Sequence, residues 1–363
     1  MGAVRLVIDT GGERRETAGV LTFKRPWEVA VATLKQVAAH AEVSVQTVSN
    51  ALNAPHRLRP DTLARVNRSI ELLNYRPNRN ARSLRTSAVE LIGYCVPSWP
   101  SRTHLVMDQF LHELCAAAES TGRHILLFTA PPGVEGMPVY DDLHARRLVD
   151  GFVLSQTETR DPRHGWLKEK QIPFVSFGRV WKESTPPGPW VDVDGAAGTA
   201  LAVRHLHGAG RRRIAFIGWP KTSGLAEDRR AGWRKACEAL GLPTAGLTVH
   251  CAEDTLDAGA QAAAELLDSP QPPDGIVALS DVLALGALRE ITRRGLVPGV
   301  DIGVTGFDDS PLADVVSPGL TSLRQPMDDI AAELITILTD PPAGPTERLL
   351  LPELVVRGSS APG

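Results

Sequence analysis

From Glu90 to Val356 short apolar runs alternate with amphipathic stretches, and nothing else in the chain limits its possible folds so tightly. Leu91–Val96, Ile125–Thr129, Gly151–Leu154, Phe174–Phe177, Ile214–Ile217, Gly275–Ala278 and Ile302–Thr305 have strand length and are apolar but for single hydroxyl residues. Helical spacing fills much of the rest, in Val106–Glu119, Ala196–His207, Arg229–Leu240, Ala258–Leu267 and Val282–Arg293. Strands apolar on both faces need covering on both faces, as helices cover a parallel sheet. The runs are too many for one small sheet, so two lobes with a cleft between them are expected. Ligands of such sheets lie at the carboxyl ends of the strands. The chain is expected to cross between lobes near 190 and within 321–326. A last apolar run, Leu349–Val356, follows the proline- and glycine-rich Pro341–Pro345.

Ahead of this body, Leu34–Asn53 reads LKQVAAHAEVSVQTVSNALN. Leu34, Val37, Ala38 and Ala41 keep helical spacing, and after a break at Glu42-Val43-Ser44 a second helix carries Val45, Val48, Ala51 and Leu52 on one side. Ser44 is placed to cap that second helix. Gln46, Thr47, Ser49 and Asn50 are left facing outward. Two short helices packed steeply across alanines, the second presenting amides and hydroxyls, suit the major groove of DNA. Pro60-Asp61-Thr62 opens a third helix, because proline wastes no N–H at the first position and aspartate meets the positive end of the dipole. Leu63, Val66, Ile70 and Leu73 would close a three-helix core. Pro77 then biases Arg76 away from helix, and Asn78 can cap a short helix running to about Arg85. So short a helix is marginal alone and is expected to order on DNA.

Charge supports a nucleic-acid partner. The formal net charge is only −3, yet 32–90 holds nine Lys/Arg against four acids. A basic head therefore sits on an acidic body. Cys95, Cys115, Cys237 and Cys251 lie far apart without C-x-x-C spacing and read as buried small hydrophobes in a reducing compartment. No apolar run is long enough to span a bilayer, and the N-terminus lacks the apolar core of a signal peptide, so a cytoplasmic location is expected. Residues 1–31 have no clear period and are expected to be an extension without a folded role. No P-loop, G-x-S-x-G, G-x-G-x-x-G after the first strand or metal-spaced His/Cys cluster is present, so no enzyme, metal or cofactor is expected.

At this point the chain resembles the lactose-repressor family of bacterial regulators. Thr33, Gln36-Val37-Ala38, Ala41-Glu42-Val43-Ser44, Thr47-Val48-Ser49 and Leu52-Asn53 follow the family's head pattern. Asn74–Asn78 with Ala81–Leu84 matches its linker, and Gly303–Asp309 and Leu320–Pro326 match two motifs of its body. Glu42 stands where the family usually has glycine, and Gln36 where it commonly has aspartate. The resemblance implies an all-α helix-turn-helix head over 32–77 and a hinge helix over 78–89. It further implies a two-lobed α/β body over 90–358, with Rossmann-like parallel sheets as in periplasmic binding proteins, and a tail over 359–363. It also implies a homodimer on a palindromic operator of double-stranded DNA, acting as a repressor under a small effector, a sugar by class. The alternative is a sugar-uptake binding protein with no DNA-binding role, against which the basic head speaks.

By family position Val45, Gln46 and Asn50 are the base readers. Gln and Asn can pair bidentately with adenine, and valine can touch a thymine methyl. Thr33, Ser44, Thr47, Ser49, Asn53 and Tyr75 would fix register on phosphates. In the hinge, Leu84 matches the family's minor-groove wedge; Asn78 caps the hinge helix, Ala81 leaves room for close approach, and Arg82 and Arg85 add charge. For the effector the resemblance points to Arg229 at a helix start and to Asp308 after a strand. Asp281 either bonds ligand hydroxyls or caps its helix, and Arg179 either binds ligand or an inter-lobe carboxylate. Trp99, Trp181, Trp190 and Trp219 are candidates to stack on a sugar ring, Trp99 and Trp219 foremost.

Overall fold

The computed structural model describes residues 32–75, 89–96, 105–182, 188–344 and 346–360. They belong to two units that divide between Ser87 and Ala88. The hinge positions Asn78, Ala81, Arg82, Leu84 and Arg85, and Trp99, lie outside the described residues.

In the first unit α1 spans Leu34–His40, α2 Val45–Asn53 and α3 Pro60–Leu72. Thr33 and Gln36 close a capping box at the start of α1: the Thr33 N–H donates to Gln36 Oε1 at 2.7 Å, while the Gln36 N–H points back to Thr33 Oγ1 at 3.4 Å. A glutamine three residues into a helix serves this reciprocal cap, which accounts for Gln36 in place of aspartate. Ser44 Oγ accepts from the Thr47 N–H at 3.1 Å and starts α2. The turn between the helices holds Glu42 at φ +52°, a conformation in which its Cβ is strained. Val37, Ala38, Ala41, Val48, Ala51, Val66 and Tyr75 form a compact core, and His40 Nδ1 lies 3.0 Å from Ser69 Oγ, tying α1 to α3.

The second unit contains two six-stranded sheets. Its strands are β1 (Leu91–Cys95), β2 (His124–Phe128), β3 (Gly151–Leu154), β4 (Phe174–Phe177), β5 (Trp190–Val193) and β6 (Ile214–Gly218). After them come β7 (Thr248–His250), β8 (Gly275–Ala278), β9 (Gly303–Asp308), β10 (Thr321–Arg324), β11 (Glu347–Leu350) and β12 (Glu353–Val355). The first sheet has the order β11-β5-β4-β3-β1-β2 and is parallel throughout. The second, β12-β10-β9-β8-β6-β7, is parallel except where β12 joins β10 antiparallel. Helices α4 (Leu105–Ser120), α5 (Met137–Ala145) and α6 (Pro162–Glu169) follow strands of the first sheet. Then come α7 (Gly195–Gly208), α8 (Gly224–Ala239), α9 (Leu256–Leu267), α10 (Asp281–Arg293) and α11 (Pro311–Val315), all on the second lobe. Helix α12 (Met327–Thr339) returns to pack on α4, β3, β4 and β5 of the first lobe.

The chain therefore crosses between lobes after β5, after β10 and again between β11 and β12. The third crossing differs from the two expected, because Leu349–Val356 is two short strands parted at Pro352, one in each sheet. A proline that cannot donate to a ladder suits such a break. Ser359 and Ser360, expected as part of a tail, are inside the second lobe. Ser359 and Ser360 are fully buried, with Ser359 Oγ donating to Val304 O at 2.7 Å and accepting from the Thr321 N–H at 2.9 Å. Ser360 Oγ meets His205 Nε2 at 2.7 Å, and burial lowers the His205 pKa.

Candidate functional site

On the head, Val45 is 42% exposed and Gln46 and Asn53 are exposed, whereas Thr47, Ser49 and Asn50 are half-buried. The face is organised by its own side chains. Gln46 Nε2 donates to Asn50 Oδ1 at 3.1 Å, so two amides one helical turn apart form a single flat polar unit. Its outer edges still offer a donor and acceptor pair of the kind that reads adenine. Asn53 Nδ2 donates to Ser49 O at 2.6 Å, and Ser44 Oγ sits 2.9 Å from Thr47 Oγ1. Thr33 is exposed and occupied in its cap. Tyr75, expected to help fix register on phosphates, is 8% exposed, packs in the head core, and has its pKa raised by burial. Lys35, Arg57, Arg59, Arg65 and Arg68 are all exposed around this unit. No arginine stands on α2 itself.

The second site lies at the carboxyl ends of strands, where the lobes meet. Arg229 is in the second turn of α8, not at a helix start as expected, since Ser223 caps the helix six residues earlier. It is 5% exposed. Its Nη1 donates to Leu279 O, after β8, at 2.6 Å, and its guanidinium carbon lies 3.4 Å from the centre of the Phe307 ring. Its Nε is buried without a hydrogen-bond partner. Burial lowers its pKa, opposed by the carboxylates of Asp308, Asp192, Asp228 and Asp254. A buried cation with an unfilled donor is costly and will favour any acceptor that can reach it.

Asp308 ends β9 at φ +109° and Asp309 follows at +49°. Two arginines hold this strained pair: Arg324 Nε and Arg357 Nη1 each donate to Asp309 at 2.7 Å. Asp308 Oδ1 accepts from Gln325 Nε2 at 2.6 Å. Burial pushes the Asp308 carboxyl up to about 8; Arg229 opposes this, while Asp281 and Asp254 add to it.

Asp281 is 1% exposed and fully engaged. Ser322 Oγ donates to Oδ1 at 2.5 Å and the Ser310 N–H to Oδ2 at 2.6 Å, so it fastens α10 to the end of β9 and to β10. It does not cap α10; Ser280 does, through the Leu283 N–H at 3.2 Å. Burial pushes Asp281 up to about 6. No side chain fits at Gly306, where a Cβ would strike Asp281.

Arg179 follows β4 and is held by two carboxylates, Asp192 from β5 and Asp228 from α8. Trp219, after β6, is half-buried with its indole N–H unpartnered, and its carbonyl accepts from His250 Nδ1 at 2.9 Å. An open groove of about 340 Å³ runs between Thr157, Glu158 and Thr159 of the first lobe and Thr222, Ser223, Gly224 and Leu225 of the second. Phe307, Gln325 and Asp254 join the site without having been singled out from sequence. Phe307 and Gln325 stand inside the two body motifs, and Asp254 accepts from Ser280 Oγ at 2.5 Å. Among the described residues no cluster of His, Cys, Asp or Glu could hold a metal ion. No helix among them is long and apolar enough to cross a membrane.

Comparison with known proteins adds to this geometry. The family of bacterial regulatory proteins, lacI family, matches residues 33–78, and the periplasmic binding protein-like domain matches residues 203–360. The HTH-type transcriptional regulator CelR of Thermobifida fusca is 32% identical over 335 residues, covering 90% of this chain and 98% of its own. The HTH-type transcriptional repressor CytR of Escherichia coli K12 is 30% identical over 348 residues, covering 93% and 99%. Among solved structures, the lac repressor dimer bound to operator and the anti-inducer ONPF has a TM-score of 0.78 at 25% identity, covering 91% of this chain and 99% of its own. A CelR–cellobiose complex has a TM-score of 0.67 at 30% identity, covering 90% and 99%.

Proposed function

The chain belongs to the lacI family of bacterial regulatory proteins, and on that premise we propose that it is a homodimeric repressor whose operator affinity is set by a small carbohydrate bound between its lobes. That it is a DNA-binding transcriptional regulator with a ligand-responsive body, and not an enzyme, follows from the family. The repressor sense, the sugar and the dimer are the proposal. CytR is named a repressor, and CelR has been solved with cellobiose.

One observation carries the effector reading: Arg229 is buried with a single carbonyl partner, an unfilled Nε donor and a stacked Phe307 ring, beside the Asp308 carboxyl. A hydroxyl can accept from the guanidinium and at once bond the Asp308 carboxyl, donating to its carbonyl oxygen or accepting its proton, which suits a polyol better than an anion or a purely apolar molecule. Trp219, half-buried nearby in sequence order at a strand end, supports stacking on a sugar ring. On the DNA side Val45 and the Gln46–Asn50 unit are the base readers, favouring adenine and thymine edges. Leu84, with Arg82 and Arg85, is the minor-groove element.

The test is a mobility-shift titration of the DNA upstream of the protein's own gene, with and without cellobiose and a panel of related sugars. The expected result is operator binding that a sugar weakens or strengthens at least tenfold, and that Arg229→Gln makes insensitive while leaving sugar-free affinity within twofold. Failure to bind any upstream DNA would refute the regulator reading at that locus. A full response in Arg229→Gln would refute the site.

A further inference from the structure

We propose that Arg179 is a positioning residue that latches the two lobes together through Asp228, so that the closed cleft is favoured before any effector arrives. The consequence for effector affinity rests on the reading above; the latch itself does not.

Arg179 sits where the chain turns out of β4 through Gly178 at φ +104°, and Thr157 Oγ1 donates to its carbonyl at 2.7 Å. From this fixed backbone its guanidinium reaches two ways. Nε donates to Asp192 Oδ2 at 2.7 Å, within its own lobe. Nη2 donates to Asp228 Oδ2 at 3.1 Å, on α8 of the other lobe. The same Asp228 oxygen accepts from the Ala196 N–H at 3.1 Å, in the first turn of α7, where the chain has just crossed over. Indole rings flank the cation: its central carbon is 4.4 Å from the Trp181 ring centre and 5.9 Å from that of Trp190. Trp181 in turn lies against Gly224, the first residue of α8, so closely that no side-chain carbon fits there. Both side chains of the inter-lobe pair are about one-fifth exposed, so water weakens the pair without abolishing it.

These contacts sort into two classes. Arg179–Asp192 lies inside the first lobe and survives any rigid movement of the lobes. Arg179–Asp228 and Trp181–Gly224 span them, and both break if the cleft opens. Asp228 is the immediate neighbour of Arg229, and Gly195 packs on both; a Cβ there would come 2.8 Å from Arg229 Cγ and 3.2 Å from Asp228 Oδ2. The latch, the crossover and the effector-facing arginine therefore share one turn of α8. An arginine already satisfied by two carboxylates has little reason to bind a sugar itself. It contributes instead by raising the fraction of molecules already closed, and apparent affinity scales with that fraction.

The test uses the full chain without ligand. Arg179→Met and Asp228→Asn, the latter keeping an acceptor for the Ala196 N–H, are compared by amide hydrogen exchange over 224–230 and by radius of gyration from small-angle scattering. Each variant is expected to speed exchange there about tenfold and to enlarge the radius, and the double variant is expected to add nothing further. Arg179→Lys, a point charge that cannot fork between two carboxylates, is expected to fall between. Unchanged exchange over 224–230, or faster exchange confined to 174–193, would overturn the latch and leave Arg179 a support of its own lobe. With cellobiose as probe, Arg179→Met is expected to weaken binding by the same factor as it speeds exchange. Weaker binding with ligand-free exchange unchanged would make Arg179 a ligand residue and also overturn the proposal. If cellobiose does not bind the parent protein, the sugar choice fails while the exchange result still decides the latch.

Discussion

Replacing Asp308 with asparagine should remove a pH dependence that the body carries when its cleft is empty. Burial pushes this carboxyl from 3.8 to about 8, against the pull of Arg229. The folded state therefore binds the proton more tightly than the unfolded chain. Its contribution to stability is complete below the unfolded value and is lost as pH rises through about 8. Asp281, pushed to about 6, completes most of its own loss below pH 7. From pH 7 to 8.5 Asp308 loses its proton in the folded state, and buried Cys237 and Cys251, pushed up to about 12 and about 11, add a smaller loss of the same sign as their thiols ionise in the unfolded chain. Across that interval a group of pKa about 8 yields about 1.3 kcal/mol at 1.36 kcal/mol per unit. Water reaching a half-buried residue reduces this to about 1 kcal/mol, or roughly 2–4 °C in melting temperature for a unit of this size. Thermal melts of the full chain should show that drop. Asp308→Asn, which keeps an acceptor for Gln325 Nε2, should lose about 1 kcal/mol of that drop, keep only the smaller part the buried thiols carry, and be the more stable protein at pH 8.5. An asparagine variant with the same drop would refute the reasoning, because the titrating group would then lie elsewhere.

Other outcomes follow from the same contacts. Tyr75→Ala should cost about 3–5 kcal/mol in so small a core and abolish operator binding, which a mobility shift with circular dichroism of the head will check; Tyr75→Phe should be nearly silent in stability. Ser359→Ala strands the Thr321 N–H and the Val304 carbonyl and should lower stability by about 1–3 kcal/mol in urea unfolding. Glu42→Ile, a β-branched residue at φ +52°, should lower head stability by about 1–2 kcal/mol, whereas Glu42→Gly should stay within about 0.5 kcal/mol of the parent. Leu84→Ala should weaken operator binding by about 1–3 kcal/mol at fixed salt, as expected for loss of a wedge, and unchanged affinity would remove that role.

Much of this was legible in the residues, and the exceptions share physical causes. The seven apolar runs of the body coincide with strands because a strand buried on both faces needs no partner pattern to announce itself. Thr248–His250 and Thr321–Arg324 are too short and too polar to stand out, and belong to sheets only because neighbouring strands supply the ladder. Arg229 was legible as a residue but not in its setting. Helix α8 starts at Gly224, where the capping Ser223 follows a loop of lysine and threonine with little apolar period. Asp281 and Tyr75 show the general difficulty. A carboxylate at a strand end and a tyrosine beside an arginine-rich linker look like binding groups, and only tertiary packing reveals that one is a fastener and the other a core residue. Glu42 stood where glycine was expected, and the structure keeps the left-handed turn, because packing across Ala38, Ala41 and Val48 outweighs a local strain of about 1 kcal/mol.

The three crossings of the body also bear on how the protein is made. The first lobe's sheet lacks its edge strand, and its α4 lacks the covering α12, until residues 327–350 have been added. By then the ribosome has already released nearly all of the second lobe, which itself waits for β12 and for Ser359 and Ser360. Neither lobe can be completed until the ribosome has passed residue 350 for the first and 360 for the second, so the two mature together and not one after the other. A chain stopped at residue 353 would lack most of β12 and the buried Ser359 and Ser360, and its second lobe would be left open. The head, whose core is drawn from residues 37–75, would be complete long before.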